Sequence, residues 1–381
     1  MEVFLLKRAS RLISFFAFFG LLAAFSLFTV FLPKNDFSEE ENRYLEKFPE
    51  FSLQNILSGG YMKGLESYVS DHFAGRLFWI KSKTQMELLQ GKNKINGVYV
   101  LKDRLAEEMP TPDYSDVDKN LDKIVSFVKK NGKPAYFMLA PTSIGIYSDE
   151  LPQNAPSYDE KKFIDYVYKK LSGDLTTIDV YSTLYSSKDE YIYYRGDHHW
   201  TSLGAYYAYY AASKKMGYAA ASWGSFDIEH ASSDFRGTLF SKTLYDRIEP
   251  DIIDLYTRKN GADVLEMEIN DGKEVKKYDS MYFREYLGKK DKYSVFFGTN
   301  QPLVTVRTNL QNGGKLLVFK DSYAHCLVPF LTQNYAEITM VDLRYLNSDI
   351  EKMVDAEKYD KILFIYNCVT FAEDKNIRKL G

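Results

Sequence analysis

The chain is poor in cysteine and histidine, with two of the first and five of the second among 381 residues. Two cysteines, Cys326 and Cys368, do not make a disulfide scaffold, and they lack the paired spacing of a zinc site. Whether they pair with each other depends on the fold. A surplus of charge is also missing: 49 Lys and Arg face 52 Asp and Glu, a formal charge of −3, so nothing electrostatic points to nucleic acid as a partner. There is no internal repeat and no low-complexity tract, and beyond residue 32 no apolar run approaches the length of a second membrane span. What remains is an ordinary globular composition, long enough for one large domain or two smaller ones. Tyrosine is in excess, with 31 residues, including the run Tyr206-Tyr207-Ala208-Tyr209-Tyr210. Its flat apolar ring and polar tip suit half-buried packing first and a sugar-binding surface second.

The one long apolar stretch runs from Leu12 to Leu32, 21 residues without a charge. A helix of that length spans about 30 Å, the thickness of a bilayer's hydrocarbon core. Lys7, Arg8 and Arg11 precede it, and Asp36, Glu39, Glu40 and Glu41 follow. Positive residues stay on the cytoplasmic side, which predicts a cytoplasmic amino terminus and an exported remainder. A cleaved signal peptide is the competing reading, but the run is long for one and no small-x-small site precedes Pro33. The expectation is an uncleaved single-pass anchor over residues 1–33.

Residues 34–105 read as a stalk and helical lobe, with helical spacing at Leu53, Ile56, Tyr61 and Leu65, a helix over about 77–89, and a short strand near Val98. From about 106 to 381 the pattern is βα alternation. Val117, Leu121, Ile124, Val125 and Val128 share a helical face. Strands are expected at 135–140, 175–180, 315–319, 336–341 and 361–366, with a helix starting at Tyr323. This predicts an α/β fold with a parallel sheet flanked by helices. Residues 220–300 break the rhythm and read as an inserted cap with strands of its own.

Two segments carry chemistry. Asp197-His198-His199-Trp200 follows Arg195-Gly196 and precedes Thr201-Ser202, a helix N-cap pattern. Val318-Phe319-Lys320-Asp321-Ser322-Tyr323 runs from strand to helix, which puts the serine at the carboxyl edge of a parallel sheet, where ligands bind. A serine needs a base, and the base needs an orienting group. His199 and Asp197 supply these roles, with His198 as a second candidate base. Each piece also has a plainer reading: Asp321-Ser322 as a helix cap, the two histidines as a loop or as metal ligands with Asp197. His72, His230 and His325 read as structural, and Trp200 reads as packing or as a pocket wall.

Asp197-His198-His199-Trp200 resembles the signature of the DHHW proteins, which are similar to alginate O-acetyltransferase proteins carrying an SGNH-hydrolase-like domain. The resemblance extends to Ser38-x-x-Glu41-Asn42-Arg43-x-Leu45, Asp71-His72-Phe73-x-x-Arg76, Asn96-Gly97-Val98-Tyr99, Ala140-Pro141-Thr142 with Ile146-Tyr147, and Lys320-Asp321-Ser322-Tyr323-Ala324-His325. It implies an SGNH-like sheet in circularly permuted order. Ser322 then follows the first strand, Arg344 the second and Asn367 the third, and Asp197 and His199 close the cycle. It also implies Ser322 as nucleophile, His199 as general base and Asp197 as its orienter. The Ser322 N–H would be one oxyanion donor, with Asn367 or Arg344 as the second. Lys320 stands where the Gly-Asp-Ser block of SGNH hydrolases carries glycine, and no Gly-x-Asn-Asp block is recognisable.

The function implied is transfer of an O-acetyl group to an extracytoplasmic polysaccharide or cell-wall polymer, with a membrane-bound O-acyltransferase as acetyl donor and no cofactor. An esterase using the same triad, and a glycan-binding or assembly protein that has lost the chemistry, are the alternatives. A triad does not reveal whether water or a sugar hydroxyl resolves the acyl-enzyme.

Overall fold

The computed structural model describes residues 2–381, with side chains from Ala9 onward, so the Lys7 and Arg8 side chains lie outside the described residues. Two compact units result. The first holds the residues up to Lys92 together with Thr243–Tyr245, and the second holds Asn93–Lys242 and Asp246–Gly381.

The first unit begins with α1 (Glu2–Phe31). Its segment Ala9–Phe31, 23 residues with mean hydropathy 2.2 and none of its most apolar window buried, is long and apolar enough to cross a membrane. A small hairpin pairs Phe37–Ser38 with Arg43–Tyr44. A five-residue helix, Leu53–Leu57, starts where the Ser52 side chain accepts the Asn55 N–H. Then come α2 (Gly60–Asp71) and α3 (Arg76–Leu89). The charged residues of the two spaced motifs close on each other. Arg43 donates to both oxygens of Asp71 at 2.9 and 2.5 Å, and Arg76 binds both oxygens of Glu41. The Arg43 fork draws the Asp71 carboxyl down to about 2. These residues therefore fasten the segment after α1 to the ends of α2 and α3.

In the second unit α4 (Tyr114–Asn131) is capped by Asp113, which accepts the Ser115 and Asp116 N–H groups, and buries Val117, Leu121, Ile124 and Val128. Further helices are α5 (Glu160–Leu171), α6 (Ser202–Met216), α7 (Ala324–Leu331) and α8 (Cys368–Glu373). The main sheet has eight strands: β1 (Ala135–Ala140), β2 (Thr176–Thr177), β3 (Val264–Asn270), β4 (Val275–Tyr278), β5 (Leu303–Thr308), β6 (Lys315–Lys320), β7 (Glu337–Val341) and β8 (Lys361–Asn367). Their order is β4-β3-β5-β7-β6-β8-β1-β2.

The sheet is mixed, where the sequence pattern predicts a parallel one. Strands β7, β6, β8, β1 and β2 run parallel. The β4, β3 and β5 strands extend the other edge through antiparallel pairs. Part of the 220–300 stretch thus joins the main sheet. The rest contributes the hairpin of Phe226–Phe235 with Asp251–Arg258, and the short helix Thr238–Thr243 between its arms. Of the expected 175–180 strand only Thr176–Thr177 pairs, at the sheet margin.

Strands β1, β6, β7 and β8 are almost wholly buried on both faces, and β1, β6 and β8 read as nearly continuous apolar runs. Phe319 of β6 stacks on Phe364 of β8 at 4.9 Å, and Phe127 of α4 meets Phe319 edge-on at 5.1 Å. From β6 the chain goes through α7 to β7 on one side and later to β8 on the other. That makes the carboxyl end of β6 a switch point of the sheet, where open α/β sheets leave a crevice.

Candidate active site

Beyond β6 the turn Asp321-Ser322-Tyr323 leads into α7. Asp321 is fully buried and acts as its pin. It accepts the Asn367 N–H and the Asn367 side-chain amide at 2.7 Å each, and the Tyr323 N–H at 2.8 Å. Its own N–H donates to the Ile365 carbonyl at 3.2 Å. The ends of β6 and β8 are therefore tied together under Ser322.

The second half of the site is the loop before α6. Asp251 accepts the N–H groups of Arg195 and Gly196 at 2.7 and 2.8 Å and the Tyr191 hydroxyl at 2.5 Å. Burial raises this carboxyl to about 6 despite those donors. Thr201 then caps α6 by accepting the Gly204 N–H. Trp200 is fully buried, and its Nε1–H donates to the Tyr323 carbonyl at 3.0 Å. Tyr323 returns the link, its hydroxyl donating to the His198 carbonyl at 2.5 Å.

These two segments, 123 residues apart, bring three side chains into line. His199 Nε2 lies 2.7 Å from Ser322 Oγ, and His199 Nδ1 lies 2.5 Å from Asp197 Oδ1. Asp197 and His199 are both nearly fully buried, at 2% and 5% exposure. Every Asp197 oxygen is engaged. Oδ1 also takes the His199 N–H at 3.0 Å, and Oδ2 takes the N–H and hydroxyl of Thr238 at 2.8 and 3.1 Å. Gly237 makes the Thr238 approach possible, since a Cβ there would fall 2.1 Å from Asp197 Oδ2. Burial works against the Asp197 charge, but His198, His199 and the donated hydrogen bonds outweigh it and hold the carboxyl well below its ordinary range. Burial, reinforced by His198 and opposed by Asp197, depresses His199 to about 4. The pair at neutral pH is a carboxylate and a neutral imidazole with Nε2 facing the serine.

Tyr293 completes the packing. Its ring stacks on His199 with centroids 3.7 Å apart and 8° between planes, and its hydroxyl donates to the Ser322 carbonyl at 2.9 Å. It touches His199 and Ser322 at once.

His198 turns its Nδ1 to the Thr238 hydroxyl at 2.7 Å. With Glu107, Thr142, Ser143, Asn367, Val369 and Thr370 it lines a cleft of about 110 Å³. Below the cleft Glu160 is fully buried and accepts the N–H and hydroxyl of Thr142 at 2.7 and 2.6 Å, while burial raises its carboxyl to about 7.

The remaining sequence candidates fall as follows. Asn367 caps α8, and its amide nitrogen bonds Asp321 and Thr370. Arg344 holds both oxygens of Asp342 at 2.9 and 2.7 Å, and its charge acts on both His199 and Asp321. Lys320 is buried with its Nζ 2.7 Å from His325 Nε2 and 3.4 Å from Asp342, so its side chain lies in this ionic cluster. Burial and the Lys320 charge keep His325 neutral, as an acceptor of the ammonium. Cys326 and Cys368 are buried free thiols. Of the tyrosine run, Tyr206 and Tyr209 pack against Phe330 at 5.6 and 5.8 Å, and Tyr210 is exposed. Asp197, His198 and His199 place ligand atoms within 4.8 Å of one another, as a metal would need. A metal there would have to displace hydrogen bonds that Asp197 and His199 make with each other, Thr238 and Ser322.

The profile described as DHHW protein matches residues 41–131 and 111–341, well over half of the chain. The chain belongs to the DHHW family. Among solved structures, this DHHW chain is similar to a DHHW family protein from Eubacterium siraeum, with 24% identity and a TM-score of 0.66 over 75% of this chain and 95% of that one. It is also similar to Bacillus cereus PatB1, with 21% identity and a TM-score of 0.64 over 73% and 98% of the two chains. PatB1 carrying a sulfonyl adduct gives 20% identity and a TM-score of 0.62 over the same shares. No curated protein sequence matches the chain. At these identities the likeness shows a shared fold.

Sequence reasoning missed Thr238, Asp251 and Tyr293. All three lie in the irregular 220–300 stretch, and each reaches the site from an element whose position only the fold defines. Arg236-Gly237-Thr238 carried the one local signal, a glycine directly before a short helix.

Proposed function

We propose that this DHHW family member is an extracytoplasmic O-acetyltransferase that moves acetyl groups onto a cell-surface polysaccharide or cell-wall polymer through an acyl-enzyme on Ser322. The observation that carries the reading is the unbroken hydrogen-bonded line Asp197–His199–Ser322 at the switch point of the sheet. That arrangement suits acyl transfer. The acetyl group and the glycan come from the resemblance to alginate O-acetyltransferase proteins.

In the first half-reaction Ser322 Oγ attacks the donor's acyl carbon while His199 Nε2 takes the hydroxyl proton. The bond to the donor's leaving atom then breaks, His199 returns the proton to that atom, and acetyl-Ser322 remains. In the second half-reaction an acceptor sugar hydroxyl gives its proton to His199 and attacks the ester. Its product leaves acetylated, and the proton returns to Ser322. Asp197 fixes the Nδ1–H tautomer and stabilises the imidazolium formed at each step. The Ser322 N–H serves as an oxyanion donor, and the positive charge of Arg344 favours the developing negative charge. With its amide nitrogen bound to Asp321 and Thr370, Asn367 positions Asp321. The cleft at His198 takes the acceptor. No cofactor enters any step.

In this reading α1 anchors the chain with its amino terminus in the cytoplasm, the sheet is a circular permutation of the SGNH order, and a membrane-bound O-acyltransferase supplies the acetyl group. The test is to incubate the enzyme with an acetyl donor and an unacetylated glycan, and in parallel with the acetylated glycan alone. Net transfer that Ser322→Ala abolishes supports the proposal. Net deacetylation without transfer makes the protein an esterase, and no change on Ser322→Ala overturns both.

A further inference from the structure

The helix α3 has two apolar faces. Its inner face turns Leu77, Ile80, Thr84 and Leu88 inward. At about 100° per residue, Phe78, Leu89, Ser82, Met86 and Trp79 share a second arc roughly 100° wide. The four large side chains on that arc are 64%, 79%, 56% and 45% exposed for Phe78, Leu89, Met86 and Trp79. Phe73, in the turn before α3, is exposed beside them. A single exposed apolar residue needs no account, but a whole helical face does.

The contacts of α1 indicate what covers it. Phe25 of α1 stacks on Phe73 at 5.7 Å and 15° and meets Trp79 edge-on at 5.8 Å. The Thr29 hydroxyl accepts the Ala74 N–H at 3.1 Å. Phe25 lies six residues before Phe31, so at 1.5 Å per residue it sits about 9 Å in from the carboxyl end of α1. Phe73 and Trp79 share that depth. Amphipathic helices lying in a membrane interface bury their apolar face about 5–10 Å. Lys83 lies next to the arc, where a long cationic stem reaches back to lipid phosphates, and tryptophan favours the same level.

We infer that this face of α3, with Phe73, lies in the lipid leaflet next to the carboxyl end of α1, so that the first unit rides on the bilayer and is not held off it by a free tether. The inference rests on the reading of α1 as a membrane span, and the test separates the two. The full chain is placed in vesicles of phosphatidylcholine and phosphatidylglycerol with a nitroxide at Phe78→Cys, Met86→Cys, Phe16→Cys in α1, or Tyr345→Cys on the second unit. The native thiols are buried and stay unlabelled. The readout is relaxation by oxygen, which enters lipid, against relaxation by a water-soluble nickel chelate. Oxygen-to-nickel ratios at Phe78 and Met86 several-fold above that at Tyr345, approaching that at Phe16, are expected. A lipid-like ratio at Phe16 with a water-like ratio at Phe78 and Met86 overturns the inference and leaves the span standing. Shielding of Phe78 and Met86 from both reagents overturns it in favour of a protein partner or a second copy. A water-like ratio at Phe16 removes the span, and the inference with it.

Discussion

Asp197→Asn is the sharpest perturbation of the site, because all four hydrogen bonds to this carboxylate are donated to it. One backbone N–H is fixed on each oxygen, His199 N–H on Oδ1 at 3.0 Å and Thr238 N–H on Oδ2 at 2.8 Å. An amide nitrogen must therefore face one of them as a donor against a donor, in a buried place. That costs about 1–3 kcal/mol, or a melting temperature lower by roughly 2–6 °C. The shorter Thr238 bond favours keeping oxygen on that side, which turns the amide nitrogen toward His199. The imidazole can then meet it only with an unprotonated Nδ1, which moves the proton to Nε2 and points it at Ser322 Oγ. The base is lost through the wrong tautomer. In triads of this kind that loss is on the order of 10⁴ in kcat, about 5 kcal/mol of barrier. The assay is turnover of a chromogenic acetyl ester, with thermal melting measured on the same samples. A variant that keeps activity within about tenfold while losing stability as expected would refute the orienting role of Asp197.

Four further outcomes follow from the same geometry. Tyr293→Leu removes the ring over His199 and lowers kcat by about tenfold with KM for the acetyl ester unchanged, and Tyr293→Phe, which keeps the ring, recovers most of that loss. Since burial and His198 hold His199 near 4, the base stays neutral as pH falls. A plot of kcat/KM against pH should be flat on its acidic side until it drops near 4, and His198→Gln should move that drop upward. An acidic limb at the ordinary histidine value in the parent protein contradicts this. Gly237→Ala drives a methyl against Asp197, and calorimetry should show a loss of about 1–3 kcal/mol together with reduced turnover. Lys320→Met takes the ammonium from His325 Nε2 and costs about 1–3 kcal/mol, while Arg344 still holds both oxygens of Asp342. Turnover stays within about tenfold, because the Lys320 ammonium belongs to the ionic cluster with His325 and Asp342.

The parts legible in the sequence were those whose signal is local. Strands β1, β6 and β8 are nearly unbroken apolar runs because both of their faces are covered, β7 is one but for Glu337 and Thr339, and α4 announces itself through Val117, Leu121, Ile124 and Val128. Strand β3 alternates Leu265, Met267 and Ile269 with Glu266 and Glu268, which pair with Arg307 of β5 and Lys277 of β4. Its charge made it look like an insertion, and its true partners are set by register. Asp197, His199 and Ser322, which the fold brings together, could be singled out because each sits in a compact motif. Thr238, Asp251 and Tyr293 were not, since a threonine, an aspartate and a tyrosine have no distinguishing neighbours until the fold carries them to the site. The Asp71 and Arg76 motif was seen, but its role as an ionic clasp with Glu41 and Arg43 needed the hairpin that brings them together.

The central claim is that Ser322 is a nucleophile activated by His199 and Asp197. The most direct measurement is covalent labelling by a fluorophosphonate or sulfonyl fluoride probe, with the modified residue located by peptide mass spectrometry and the rate followed in the full chain. The account expects labelling at Ser322 alone, abolished in Ser322→Ala and slowed by orders of magnitude in His199→Ala and Asp197→Asn. Labelling elsewhere, or labelling of Ser322 at an unchanged rate without His199, would contradict it.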